Sequence, residues 1–544
     1  ETETDWSRML DIELWIADEL GVAKEHVEAV IKLIDEGNTI PFIARYRKEA
    51  TGGMGDEKLR DLDARLSYLR GLEERKQEVI RAIGEQGKLT DELRSEIEAA
   101  DKLRRVEDLY KPYRKKRATR ASKARAAGLE PLANLIMLQA DAPAGALETA
   151  ARFVNEEAGF GTPALALKGA EDIVAETIAD DAENNEALRS YTAQTGSVSV
   201  EAVDASEKTV YEPYYDFAEA AARIPNHRVL AINRGEAEGK LNVRVRTDAD
   251  AAVGLLGRRY PRRHGAFAEA FDAALADGYK RLMAPSLERE VRSTLTERAQ
   301  TDAIAVFAKN TEALLSARPV RGARVIALDP GFRTGCKVAV LDEFGKLLDY
   351  ATVYPTPPRS DVAGTKRKLA ELIGRYRINT IAIGNGTASR ETEQVVSDFI
   401  AESGADVRYT IVNEAGASVY SASELASEEY PDLDVTTRGA MSLGRRLQDP
   451  LAELVKIPPQ SIGVGQYQHD LNQVELGRAL GDVVERVVNR VGVDLNTASA
   501  SLLSYVSGIT PRIARNIVAY REEHGAFTDR RQLKKVPMLG PKAY

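Results

Sequence analysis

The sequence predicts a multidomain, mainly α chain with one α/β domain, and three observations carry that prediction. Its 544 residues exceed what one hydrophobic core organises, since domains cluster near roughly 150 residues, so three or four units are expected. Apolar residues recur at spacings of three and four through the first 200 or so residues and again from Phe267 to about Leu315, the period of helices with one buried stripe. From Arg321 the texture changes to short apolar runs punctuated by Gly and Asp, the texture of strands.

Composition bounds the function classes. The chain is 43% hydrophobic and 29% charged, as ordinary globular proteins are. The single cysteine, Cys336, excludes an internal disulfide framework and a clustered-cysteine zinc site, and its apolar surroundings mark a buried strand residue. No apolar run approaches the roughly 18 residues that span a bilayer, and the opening residues Glu1 to Asp5 are acidic where a signal peptide is basic. A cytoplasmic protein without a membrane partner is expected. The net charge of −9 hides its distribution. Asp101 to Arg125 holds eleven Lys/Arg against three Asp/Glu, and Tyr505 to Tyr544 holds eight against three. Basic patches on an acidic body suit a localised phosphate-binding surface.

In chain order, Gly37 stops one helix and Pro41 restarts another. Leu59, Leu62, Leu66 and Leu69 share a helical stripe, with Arg65, Arg70 and Lys76 assigned elsewhere on the helix. The basic run interleaves Tyr110 and Tyr113 with Arg114, Lys115, Lys116 and Arg117, as single-strand binders interleave cations and aromatic faces; a solvated charged loop is the alternative. Thr192 to Phe217 shows no clear period. Val229 to Gly235 and Lys240 to Arg246 read as two strands of a hairpin, and Arg258 to Arg263 as a solvated basic loop.

Beyond Arg321, Val325–Leu328, Lys337–Leu341 and Leu347–Tyr354 read as strands, followed by a helix to about Tyr376 and strands at Thr380–Ile383 and Tyr409–Val412. Three antiparallel strands, helix, strand, helix is the order of a ribonuclease H-like α/β domain. In that fold an Asp closing the first strand helps hold two divalent ions for phosphodiester cleavage, and Asp329 stands there. The glycines of the next turn, Gly331 and Gly335, would let a phosphate backbone approach. The fourth strand, however, ends in Gly384-Asn385-Gly386, with neutral Asn385 where a second carboxylate belongs. Glu414 and Asp449 are further candidates. The favoured expectation is a domain without catalysis and without cofactor; Mg²⁺ or Mn²⁺ enters only if the site is active.

The last segment carries the strongest motif. Val506 to Arg521 reads as a Gly508-bearing turn, then Thr510, then Pro511 opening a helix whose free N–H groups suit an anion. A second copy, Val536 to Lys542, contains Gly540 and Pro541. Two such turns in tandem, with Arg512, Arg515, Lys534, Lys535 and Lys542 around them, are the mark of a helix-hairpin-helix pair that grips a phosphate strand.

The chain also resembles the Tex family of bacterial transcription accessory proteins. The matching segments are Asn38-Thr-Ile-Pro-Phe-Ile-Ala-Arg-Tyr-Arg-Lys-Glu49, Gly384-Asn-Gly-Thr-Ala-Ser-Arg-Glu-Thr-Glu393, Asn413-Glu-Ala-Gly-Ala-Ser-Val-Tyr-Ser-Ala-Ser-Glu424 and Ser461-Ile-Gly-Val-Gly-Gln-Tyr-Gln-His-Asp470. The resemblance implies a helical N-terminal region with a helix-turn-helix element over 1–200, a mixed connector over 201–320, a YqgF-type ribonuclease H-like domain over 321–450, and tandem hairpins over 451–544. It also implies a C-terminal RNA-binding OB-fold, before which this sequence stops at Tyr544, inside the second hairpin. The partners expected are RNA or DNA and the transcription machinery, with no small-molecule substrate. A metal-dependent nuclease or junction resolvase acting through Asp329 is the competing reading.

Overall fold

The structure, a computed structural model, describes residues 11–114, 118–261, 264–463, 465–496, 498–541 and 543–544. Lys115, Lys116, Arg117, Arg262, Arg263 and Lys542 therefore lie outside the described residues. The chain divides into two compact units, Glu1–Gln300 and Thr301–Tyr544. No described helix is long and apolar enough to cross a membrane.

The first unit is helical up to Thr195. Thr39 caps the helix Ile40–Tyr46, its hydroxyl accepting from the Phe42 N–H, and Pro41 sits in the first turn where a missing N–H costs nothing. The long helix Asp56–Gly84 buries Leu59, Leu62, Leu66, Leu69 and Leu72 along one stripe. Lys76 corrects the expectation: it lies on that stripe, wholly buried, with its ammonium donating to the Glu98 carbonyl at 2.8 Å. The helix Pro163–Asp180 is buried nearly all round, and its alanines let neighbouring helices come close.

An antiparallel sheet follows, with β1 (Ser197–Ala202) between β2 (Asp216–Ala220) and β3 (Leu241–Arg246). The aperiodic stretch is thus a strand, a loop and an edge strand. The expected hairpin is half right. Lys240–Arg246 contains β3, but Val229–Gly235 belongs to a helix, Asn226–Ala237. A four-residue apolar run has no period to distinguish strand from helix. The fold decides by packing: a side chain at Gly235 would meet Leu241 Cδ1 at 2.5 Å, so the glycine is where helix and strand touch. Part of the second basic loop is also structural, because Arg259 Nε donates to Asn184 Oδ1 at 2.7 Å and the Tyr260 hydroxyl accepts from Asn184 at 2.7 Å.

In the second unit, β4 (Val325–Asp329), β5 (Cys336–Leu341), β6 (Leu347–Val353), β7 (Thr380–Gly384) and β8 (Arg408–Val412) form one sheet in the order β6-β5-β4-β7-β8. The first three pair antiparallel, and β4–β7 and β7–β8 pair parallel. Alternation along β4 sends Ile326 and Leu328 to one face with Leu369, Leu372 and Phe399, and Val325 and Ala327 to the other with Ala440, Met441 and Leu443. The helix on that second face, Val435–Gln448, approaches closely because it presents small residues; a side chain at Gly444 would meet Leu341 Cδ1 at 2.6 Å. Cys336 is buried in the strand, as its surroundings predict.

Candidate nucleic-acid interface

The hairpin region is built from the buried stripe of the helix Gln473–Val491, whose Val483, Val484, Val487 and Val488 pack with Leu503, Ile513, Ala514 and Ile517. From this base a short helix, Ala500–Leu503, leads into the first turn. Asn489 fixes that turn: its side-chain amide donates to the Tyr505 carbonyl at 2.9 Å and accepts from the Ser507 N–H at 3.0 Å. Gly508 then takes φ +86°, a conformation L side chains rarely adopt. Thr510 caps the helix Pro511–His524, its hydroxyl accepting from the Ile513 N–H at 3.3 Å. Gly508, Thr510, Arg512 and Arg515 are exposed, so the turn, the helix start and two cations share an open surface. Pro511 has no N–H and the Ile513 N–H is taken by Thr510, so this helix start favours anions through the Arg512 N–H and the axial dipole.

The second turn follows a 3₁₀ segment, Arg530–Lys535, and exposes Lys534 and Lys535, with Lys534 Nζ 4.5 Å from the Tyr544 ring centre. Here the structure corrects the assignment of Gly540. The left-handed residue is Met538, at φ +67°, which stands three before Pro541 as Gly508 stands three before Pro511. Gly540 instead matches Thr510, the residue before the proline, and a side chain there would meet nothing within 4 Å. The helix after the first turn is tied to the second turn by Asn516, whose amide donates to the Pro537 carbonyl at 2.9 Å. Asn489 and Asn516 are not legible in the sequence as functional positions; a lone Asn in a helix carries no spacing signal.

Among the described residues of the basic run, five cations are engaged in the fold of the first unit. Arg104 and Arg189 both reach Glu290, Arg105 pairs with Glu183 at 2.6 Å, and Arg125 with Glu176 at 3.1 Å. Lys111 donates to the Ala179 carbonyl at 2.7 Å, and Arg114 pairs with Glu107 while lying over Tyr110.

Around the expected metal position the structure brings two carboxylates together. Asp329 closes β4 beneath Gly439, where a Cβ would lie 3.4 Å from its Oδ2. Burial first and the Glu414 charge second push its carboxyl up to about 6, against the pull of Lys337. A side chain at Gly386 would run into the Glu414 carboxylate. Asn385 is committed to the backbone, its Oδ1 accepting from the Glu414 N–H at 2.9 Å. Asp449 does not join them: it is exposed and caps the helix Pro450–Leu454, accepting from the Ala452 N–H at 3.0 Å. Among the described residues no group of three His, Cys, Asp or Glu is placed to hold a metal ion. Two carboxylates are too few anionic ligands for a pair of divalent cations.

Comparison with known proteins gives four matches along the chain: a Tex-like protein N-terminal domain over 10–84, a Tex central region-like segment over 141–307, a Tex protein YqgF-like domain over 323–448 and a helix-hairpin-helix motif over 488–544. The chain is 48% identical to the uncharacterized protein YdcI of Bacillus subtilis, over 97% of this chain and 74% of that protein. It is 48% identical to protein tex of Bordetella pertussis, over 97% and 69%. It is 46% identical to the transcriptional accessory protein Tex of Neisseria gonorrhoeae, over 97% and 70%.

Proposed function

Because this chain belongs to the Tex family, we propose that it is a transcription accessory factor of the cytoplasm that holds RNA or DNA by the phosphate backbone, with little readout of base sequence. The observation that carries the reading is the first hairpin turn, where Gly508 takes a left-handed conformation, the helix starts at Pro511 under its Thr510 cap, and Arg512 and Arg515 stand exposed beside it. Contacts of this type position a strand without reading it. The ribonuclease H-like domain serves this reading as a scaffold rather than a nuclease, since Asn385 is occupied in backbone support.

The test is a titration of matched single-stranded RNA, single-stranded DNA and duplex against the parent and Gly508→Val. The variant places a β-branched side chain at φ +86° and is expected to weaken binding to every sequence by a similar factor. Equal binding by a variant that folds normally, judged by circular dichroism and melting, sinks the reading. Selective loss for some sequences means that base edges are read. Incubating labelled duplex, junction and hybrid with Mg²⁺ or Mn²⁺ tests the scaffold role: cleavage that vanishes in Asp329→Asn overturns it.

A further inference from the structure

The open edge of the five-stranded sheet carries an inference independent of nucleic-acid binding. β8 is the last strand in the sheet order, with β7 on one side only. The Arg408 N–H donates to the Asn379 carbonyl and the Val412 carbonyl accepts from the Asn385 N–H, so Arg408, Thr410 and Val412 turn their backbone groups toward β7. Alternation then points the N–H and C=O of Tyr409 and Ile411 outward. Both residues are exposed, at 38% and 41%. Natural edges are commonly blunted by Lys, Pro or a bulge, and this edge reads Tyr-Thr-Ile.

Beside the end of this strand lies a cavity of about 170 Å³, lined by Ile411, Val412, Leu314, Leu454, Arg318 and Arg446 among others. Ligand pockets run to about 300–1,000 Å³, so the space suits one apolar side chain rather than a free small molecule. Its charged lining is cationic only. Arg318 is exposed and makes no ion pair among the described residues. Arg446 is 4% exposed; its Nη1 donates to the Asn413 and Ala415 carbonyls at 2.8 and 2.7 Å, while Nε and Nη2 are buried without a partner among the described residues. Burial draws its pKa down to about 10, which leaves it charged at neutral pH. The acids that act on it, Glu453 and Glu414, do not line the cavity.

We propose that the β8 edge and this cavity form a docking site for an extended acidic peptide of a partner protein, which adds as a strand beside β8 and seats one apolar side chain in the cavity. Backbone pairing at Tyr409 and Ile411 supplies affinity, the cavity selects the side chain, and the positive field of Arg318 and Arg446 selects acidic over basic sequence.

The experiment pans a display library of random decapeptides against the full chain, then measures one enriched, fluorescein-labelled peptide by anisotropy. Enriched peptides are expected to alternate apolar residues and to carry Asp or Glu. Tyr409→Pro removes one outward N–H, a change edge strands tolerate, and should weaken the peptide about tenfold. Arg318→Glu should weaken it about fivefold and shift the selection toward basic peptides. Ala317→Trp, which fills the cavity from outside the strand and leaves the β8 sequence unchanged, stands in if Tyr409→Pro fails to fold. The proposal is overturned by no enrichment above an unrelated protein, by equal binding to Ala317→Trp and Arg318→Glu, or by displacement of the peptide with a stoichiometric oligonucleotide.

Discussion

Folding favours the protonated form of Asp329, because burial and Glu414 raise its carboxyl from 3.8 to about 6. The sign follows: its contribution to stability is fully present below the unfolded value and is lost as pH rises through about 6, leaving a cost above that of up to roughly 3 kcal/mol. Asp329→Asn is therefore expected to raise the melting temperature at pH 7.5 and to raise it much less at pH 4. Equal gains at both values would mean that charge is not the cause. Met538 makes an opposite kind of demand, holding a side chain at φ +67°. Met538→Gly should stabilise the chain by about 0.5–1 kcal/mol in urea unfolding, where most glycine substitutions destabilise. No change would place the strain elsewhere. The sequence makes Asp329 legible because its strand is legible, and Asn385 legible as a missing acid, but not as the acceptor that holds the Glu414 backbone. Matching Gly540 to Gly508 compares residue types; counting back from Pro511 and Pro541 pairs Gly508 with Met538 instead.

At the scale of elements, β4, β5 and β7 are readable because both of their faces are buried, so each is a short apolar run closed by Gly or Asp. The same signature misleads at Val229–Ile232, where a helix is buried on enough sides to hide its period. Lys76 escapes a reading by residue type because a cation is normally exposed; its stem follows the stripe and its ammonium finds a carbonyl. The hairpin depends on a different kind of link between elements, the Asn489 clamp across the turn at Tyr505 and Ser507. Asn489→Ala removes the side-chain partner of the partly buried Ser507 N–H and Tyr505 carbonyl and should cost about 1–2 kcal/mol in urea unfolding. It should also weaken nucleic-acid binding at temperatures where the fold persists. A stability loss with unchanged affinity would show that the turn needs no fixed shape to bind.

For the molecule as a whole, the net charge of −9 leaves attraction to polyanions to local surfaces. Charge counts along the sequence find both basic segments, but not that several described arginines of the first are paired, because a partner such as Glu290 lies 186 residues from the Arg104 it meets. The hairpin segment keeps Arg512 and Arg515 exposed. Replacing both by Ala should lower the log-log salt slope of binding by about 1.4–1.8, at about 0.7–0.9 for each phosphate no longer neutralised. An unchanged slope would assign the phosphates to other cations.

The bond from Asn516 to the Pro537 carbonyl ties the helix that follows the first turn to the second turn, and so limits how far the two turns can part. A gripping surface of fixed span meets a polymer whose phosphates repeat at regular intervals, and each repeat presents the same thing to it. Under the proposed function such a grip would have no address. It would release one repeat and take the next at nearly equal free energy, so that position along a strand would be set by diffusion and by whatever else holds the protein, which would travel with a nucleic acid rather than park on it.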